Sequence, residues 1–329
     1  MTFYHTFMTY GERLLWYNMH MPKRSVSYIH EYPLPGSVWV HVERNTEKEM
    51  RQLDELYGYH PVDLEETLPP LQRPKVVVRD GYVFMILLFP VFNPKSRIVS
   101  TAEVDFFISK DRLVTVCGAD LPAFKAVSEV VTRQSKKNKP ADTAHILHLL
   151  LETLLESLFP MLVHLSQDID EVEKSLFLSD QRGVIMELLR IKTNIVNVRK
   201  AMQGHKKVIR GLVSAGQNIL PIKRMEVYYD QLVDHTKEIW DTLEVQRETI
   251  NALHETHVSL IDSRTNNNIK TLTALSAIIL PLTLVAQLFA IGYIGEPWRN
   301  DPLGFIKIVA LLTFLALGLW GFFKYKKLI

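Results

Sequence analysis

Residues 272–295 read LTALSAIILPLTLVAQLFAIGYIG, and no charged side chain occurs between Lys270 and Glu296. A helix crosses the hydrocarbon core of a bilayer with ~20 apolar residues, so this stretch is long enough to span it. A second run, IVALLTFLALGLWGFF, lies between Lys307 and Lys324. Alone it is roughly 16 residues; the preceding LGFI completes a span if Lys307 reaches the interface with its ammonium group. Two membrane helices are therefore expected, the first over residues 270–294 and the second over 303–323, joined by a loop at 295–302. The alternative, a buried helical hairpin in a soluble protein, fits poorly with so long an uncharged run.

The flanks orient the pair. Arg264 and Lys270 precede the first span, and Lys324, Lys326 and Lys327 follow the second. The joining loop carries Glu296, Arg299 and Asp301, near neutral in sum. Basic residues stay on the cytoplasmic side, so both termini are expected there and the loop outside. Tyr293 and Trp298 near one interface, and Tyr325 near the other, suit an aromatic belt.

One stripe of the first span is polar without being charged. Asn266, Ile269, Thr273, Ser276, Leu280, Thr283 and Gln287 follow one another at steps of three or four, which puts them on one helical face. Polar side chains inside a span face a bundle interior or water. If several copies surround an axis, the stripe lines a pore; the other use of such Ser and Thr residues is to join helix to helix.

Upstream, residues 141–269 are expected to form long helices. AHILHLLLETLLESLFPMLVHLSQDIDEVEKSLF repeats its apolar residues at helical spacing, with a kink expected at Pro160. Ser179-Asp180 breaks the pattern and can cap the next helix, through MELLRIKTNIVNVRKAM. A third begins near Ile222 and meets no Pro or Gly before Pro281. At ~1.5 Å per residue, its ~70 residues make a rod of roughly 105 Å, which needs partner helices from its own and other subunits. Two imidazole pairs at i, i+3 lie on these helices, His145 with His148 and His254 with His257. Neutral imidazole suits Zn²⁺, but two ligands do not complete a site.

Residues 1–140 are expected to be a mixed α/β domain. SVWVHVE alternates as a strand does, and KVVVRDGYVFMILLFPVF holds two strands around the Asp80-Gly81 turn. EVDFFISKDRLVTVCG forms another hairpin, turning at Lys110-Asp111. TEKEMRQLDELYG and HPVDLEETL are helical, and RQSKKNKP at 133–140 is a polar linker. The fold class is thus an α+β domain with long stalk helices and two C-terminal transmembrane helices.

The bulk numbers exclude other classes. A net charge of +2 over 329 residues gives no reason to expect a nucleic-acid partner. The single cysteine, Cys117, closes no intrachain disulfide and forms no metal or redox pair. The N-terminal stretch lacks the order of a cleaved signal peptide. No Gly-rich phosphate loop with its lysine occurs, and no compact nucleophile–base motif, so an enzyme is not expected.

Several stretches, in order, resemble the CorA family of divalent-cation transporters. HPVDLEETLPPLQRPKVVVRDGYVFMILLF at 60–89 is similar to the family's cytoplasmic signature, and EVDFFISKDRLVTV at 103–116 to the hairpin after it. DHTKEIWDTLE at 234–244, IILPLTLVA at 278–286 and the final FKYKK are similar to the stalk, first span and basic tail. The resemblance covers roughly residues 35–329. It implies a funnel-shaped homopentamer in a bacterial inner membrane, contacting lipid and no nucleic acid. The first span lines the pore, and cations descend their gradient without ATP. No cofactor is implied; the divalent cation is cargo, Mg²⁺ first, with Co²⁺ or Ni²⁺ possible. Ile269, Leu272 and Leu280 match the family's apolar constrictions, and Asn266 its polar cytoplasmic entrance.

The outer mouth departs from the family. The Gly-Met-Asn signature aligns with Ala290-Ile291-Gly292, followed by Tyr293, so the asparagine that would hold a hydrated cation is missing. Gln287 stands where the family has glycine, and the filter could lie one turn inward. Gly295-Glu296-Pro297 is similar to the turn of the zinc-transporting ZntB branch. The regulatory acid of the family falls on Glu66; its stalk partner falls on Gln231, with Asp230 and Asp234 close by. Three functions are weighed: a passive channel for divalent cations, a proton-coupled Zn²⁺ transporter, and a membrane scaffold whose pore signature has decayed.

Overall fold

The computed structural model describes residues 28–138, 140–176, 181–215, 219, 225–291 and 302–326. The chain divides into two compact units, residues 1–250 and 251–329. Ser179-Asp180, the expected helix cap, lies outside the described residues.

The first unit is built on a six-stranded sheet. Its strands are β1 (Ile29–Leu34), β2 (Ser37–Val42), β3 (Lys75–Val78), β4 (Tyr82–Asn93), β5 (Ile98–Ser109) and β6 (Arg112–Val116). They lie in the order β1-β2-β6-β5-β4-β3. All neighbours are antiparallel except β2 and β6, which run parallel from Val38 opposite Arg112 to Val42 opposite Val116. The expected Asp80-Gly81 turn forms, with Gly81 at φ 84°, a conformation that glycine adopts without Cβ strain. The β4–β5 hairpin is the longest, and Asn93 Oδ1 shapes its tip by accepting from the backbone N–H of Lys95 at 2.9 Å.

Helices cover the sheet. Between β2 and β3 come α1 (Glu47–Tyr57) and α2 (Pro61–Glu66), both where the sequence placed them. Met50 and Leu53 of α1 and Leu64 of α2 join Val40, Phe84 and Phe107 in one buried cluster. The remaining helices of this unit are α3 (Pro122–Lys136), α4 (Thr143–Glu156), α5 (Phe159–Ser175), α6 (Gln181–Met202) and α7 (His205–Ala215). Of these, α3, α4, α6 and α7 pack on the sheet. Gly204 and Gly211 allow α7 its close approach: a Cβ on Gly204 would lie 2.4 Å from Pro74 Cβ, and one on Gly211 2.7 Å from Val76 Cγ1.

The structure corrects two expectations. RQSKKNKP is not a linker from its start, because α3 continues through Lys136 with Val127 and Val131 buried; its polar residues are the outer face of an amphipathic helix. Pro160 does not kink a continuous helix. Instead α4 ends at Glu156, and Pro160 sits in the first turn of α5, where its missing N–H costs nothing. The long helix α8 spans Glu226–Ile291; Ile222, near which its start was expected, lies outside the described residues.

The second unit holds the C-terminal part of α8 and α9 (Gly304–Tyr325). Among the described residues, three segments are long and apolar enough to cross a membrane: Thr143–Ser175, Glu226–Ile291 and Gly304–Tyr325. The apolar window of the first is 50% buried by the protein itself, so it is core, whereas those of the other two are 6% and 0% buried. Surfaces so apolar and so bare need lipid or other helices around them. Pro281 lies inside α8, within the apolar segment.

Candidate pore helix and regulatory acids

The apolar end of α8 meets α9 along one side. Ile279, Leu282, Thr283 and Ala286 face Leu312, Thr313 and Ala316 across a groove of about 440 Å³. A helix turns ~100° per residue, so the first four centre roughly 110° around the axis from Leu280. The polar stripe is therefore turned away from α9. Asn266, Ile269, Thr273, Leu280, Thr283 and Gln287 are all exposed, and Ser276 is half-buried. Leu280 is 67% exposed, Ile269 55% and Leu272 64%, part of the contiguous apolar surface that this helix leaves bare.

Thr283 and the pore candidate Leu272 sit off the centre of the stripe. Thr283 also lines the α9 groove, and its hydroxyl lies 2.8 Å from the Ile279 carbonyl and 2.9 Å from that of Leu280. Leu272 falls ~80° from Leu280, on the side toward the groove. Of the mouth residues, Ala290 and Ile291 form the exposed end of α8. Gly292 and Tyr293 lie outside the described residues.

Each acid of the HPVDLEETL segment has a different role. Asp63 is fully buried; Arg79 Nη2 donates to it at 2.5 Å, Arg79 Nε at 2.9 Å and the Tyr82 hydroxyl at 2.7 Å. Burial pushes the Asp63 carboxyl up, and the bonds from Arg79 and Tyr82 together outweigh it, holding the group below the usual carboxylate range. His60 caps α2 by accepting the Val62 N–H at 3.2 Å. These two residues build the local fold. Glu66, at the end of α2, is half-buried and paired with Lys75 of β3.

Behind Lys75 lies a pair that the sequence reading did not single out. Glu103 and Asp105 alternate on β5, so they point to one face of the sheet. Glu103 accepts the backbone N–H of Gln72, and Asp105 Oδ1 is buried without a hydrogen-bond partner. Burial raises the Asp105 carboxyl well above its ordinary value, and the neighbouring Glu103 adds to the shift. Two acids at i, i+2 within an apolar strand were the available signal.

Asp230 and Asp234 are exposed on α8, as is Gln231. The histidine pairs each divide between surface and interior. His145 is exposed while His148 is buried against Tyr228 and Tyr229, 3.7 Å from Glu152; His254 is exposed and His257 buried. Among the described residues, no group of three or more His, Cys, Asp or Glu is arranged to hold a metal ion.

Known proteins share this architecture. The cobalt/magnesium transport protein CorA of Thermotoga maritima is 25% identical over 282 residues, 84% of this chain and 79% of that protein. The complete structure of the CorA magnesium transporter from Methanocaldococcus jannaschii matches with a TM-score of 0.77 at 20% identity, covering 88% of this chain and 90% of that one. The ZntB cytoplasmic domain from Vibrio parahaemolyticus shares the fold with a TM-score of 0.60 at 13% identity, over 72% of this chain and 100% of that one. The family described as CorA-like Mg²⁺ transporter protein matches residues 35–326, nearly the whole sequence, and the chain belongs to it.

Proposed function

We propose that this chain is one subunit of a membrane channel for divalent cations, Mg²⁺ first and Co²⁺ next, with the pore lined by the apolar end of α8. The observation that carries the reading is the uncharged polar stripe on α8, exposed and turned away from α9. The Thermotoga maritima relative, named for cobalt and magnesium transport, supports the choice of ions. Several copies around an axis would cover the stripe and enclose water; five is the number the family resemblance implies. Asn266 then forms the inner entrance, and Ile269, Leu272 and Leu280 the rings that close by dewetting. Thr273, Ser276 and Thr283 offer hydroxyl oxygens between them. The proposed orientation puts both termini in the cytoplasm of a bacterial cell, with Ala290, Ile291, Gly292 and Tyr293 at the outer mouth.

Mg²⁺ sheds its waters reluctantly, so the filter must hold a hydrated ion through oxygen acceptors. Gly292 has no side chain to serve, whereas a ring of Gln287 amides supplies such acceptors one turn inward. Glu66, with Asp230 or Asp234 of a neighbouring copy, is the proposed cytoplasmic sensor of the cation, and Lys75 holds Glu66 when no cation does.

Flux into proteoliposomes tests the reading. Purified protein is compared with Mg²⁺, Co²⁺, Ni²⁺ and Zn²⁺, with and without a proton gradient. Mg²⁺ entry that needs no gradient is the expected result. Zn²⁺ entry that requires protons would move the chain to the ZntB side. Silence for all four ions, from assembled oligomers, would leave the scaffold.

A further inference from the structure

The carboxyl ends of parallel strands form crevices where ligands bind, with the following helix offering its N-terminus. The sheet has one parallel pair, β2 and β6, and a cavity of about 450 Å³ opens where these strands end. Glu43 follows β2; Asp120 follows β6 and precedes the first turn of α3. None of these residues belongs to the proposed pore or to the sensor acids.

The cavity has aromatic walls. His41 stacks on Phe124 with ring centroids 4.1 Å apart, and Tyr32 stacks on Trp39 at 4.7 Å; Tyr32, His41 and Phe124 all line the space. Thr115 links the two rings of β2. Trp39 Nε1 can only donate, and it donates to Thr115 Oγ1 at 3.0 Å. That hydroxyl lies 2.9 Å from His41 Nδ1 and 3.4 Å from the Val40 carbonyl. Burial, with His30 nearby, keeps the His41 ring neutral by pulling its pKa down to about 4.

The polar groups on the rim divide by type. Lys125, in the first turn of α3, is exposed, with no acidic partner among the described ion pairs. Its ammonium and the start of a 15-residue helix both favour an anion. Asp120 and Glu43 accept hydrogen bonds and suit hydroxyl groups. An aromatic slot, a neutral imidazole, two hydroxyl acceptors and one cationic corner match a stacked base, a ribose and a phosphate.

We propose that this cavity binds a nucleoside phosphate, with the base against Phe124 and Tyr32, the ribose at Asp120 and Glu43, and the phosphate at Lys125 and the start of α3. Transport is regulated, on this reading, by a soluble metabolite as well as by the cation. Titration calorimetry on the full-length protein in detergent, without Mg²⁺, tests it with adenosine 5′-monophosphate, adenosine and inorganic phosphate. The monophosphate should bind saturably, adenosine about tenfold more weakly and phosphate alone weakest. Lys125→Ala should weaken the monophosphate about tenfold, the loss of one charge-assisted contact, and leave adenosine unchanged. Lys125 is exposed, so the variant keeps its fold. The proposal fails if millimolar monophosphate gives no saturable heat. It fails equally if Lys125→Ala binds as the wild type does, or if phosphate binds as tightly as the nucleotide.

Discussion

Asp63 and Arg79 form a two-pronged ion pair across the signature segment, with Arg79 Nη2 2.5 Å and Nε 2.9 Å from the carboxylate oxygens. The pair joins α2 to the turn before β4, and Tyr82 adds a third donor from the strand itself. Asp63→Ala should destabilise the protein by about 2 kcal/mol, because a wholly buried acceptor of three bonds leaves its donors unpaired. Thermal unfolding in detergent measures this, with the exposed Glu65→Ala as the control expected to change little.

Two buried histidines set an acid limit. His41 and His205 are each pulled down to about 4, burial being the main cause in both. Above the unfolded value of ~6.5 both states are neutral and the histidines add no pH dependence. Between ~6.5 and ~4 the unfolded chain takes up protons that the folded chain refuses, so stability falls as pH falls. Each site costs roughly 3 kcal/mol by the lower end of that window. His205, edge-on to Phe89, is the cleaner probe. His205→Leu should flatten the midpoint-against-pH curve between pH 6.5 and 4, and an unaltered slope would assign the acid sensitivity elsewhere.

Asp105 acts in the opposite sense. Its folded pKa is raised, so it stays protonated while the unfolded chain ionises, and stability falls as pH rises above the unfolded value of ~3.9. Asp105→Asn removes the charge in both states. It should raise the melting temperature at pH 7–8, on the order of 1 kcal/mol, with the gain shrinking toward pH 4. A variant less stable at every pH would mean that the acid's proton makes a bond the amide cannot replace.

Close packing of α7 on β3 rests on two absent side chains. Gly204→Ala and Gly211→Ala each drive a methyl into contact with Pro74 or Val76. Each should cost about 1–3 kcal/mol, Gly204→Ala more because its neighbour is a rigid proline ring. Thermal midpoints of the single variants decide the order.

For the proposed pore, Gln287→Ala is the informative change. Loss of the amide ring should alter the ratio of Mg²⁺ to Co²⁺ influx severalfold in proteoliposomes. Equal ratios for every ion tested would remove Gln287 from the filter. Gln287 is exposed on α8, so the variant should assemble normally.

Turn chemistry and long periodic runs were readable; edges and amphipathic surfaces were not. Asp80-Gly81 and Lys110-Asp111 announced their hairpins because glycine or a short polar pair must sit there. The spans were legible because nothing else explains charge-free runs of that length. β1 was missed: IHEYPL is an edge strand with a proline and only Leu34 fully buried, so its pattern is faint. The start of RQSKKNKP was misread because a solvated helix face and a loop have the same composition. At the site, the sequence named the residues of the stripe, while only coordinates turned that stripe away from α9. The Glu103–Asp105 pair escaped because carboxylates on a strand read as surface until a fold covers them.

The unbroken ladder of α8 has a consequence for tolerance to change. Within the second unit, residues 251–291 share one run of helical hydrogen bonds, so the angular phase along the stripe is locked. A single inserted residue between Asn266 and Thr273 would turn the rest of the helix by ~100° and point lipid-facing leucines where the hydroxyls stood. Seven inserted residues, nearly two whole turns, would miss alignment by only ~20°. Length in this helix is thus permitted in steps, and evolution can lengthen it only in multiples that keep its phase.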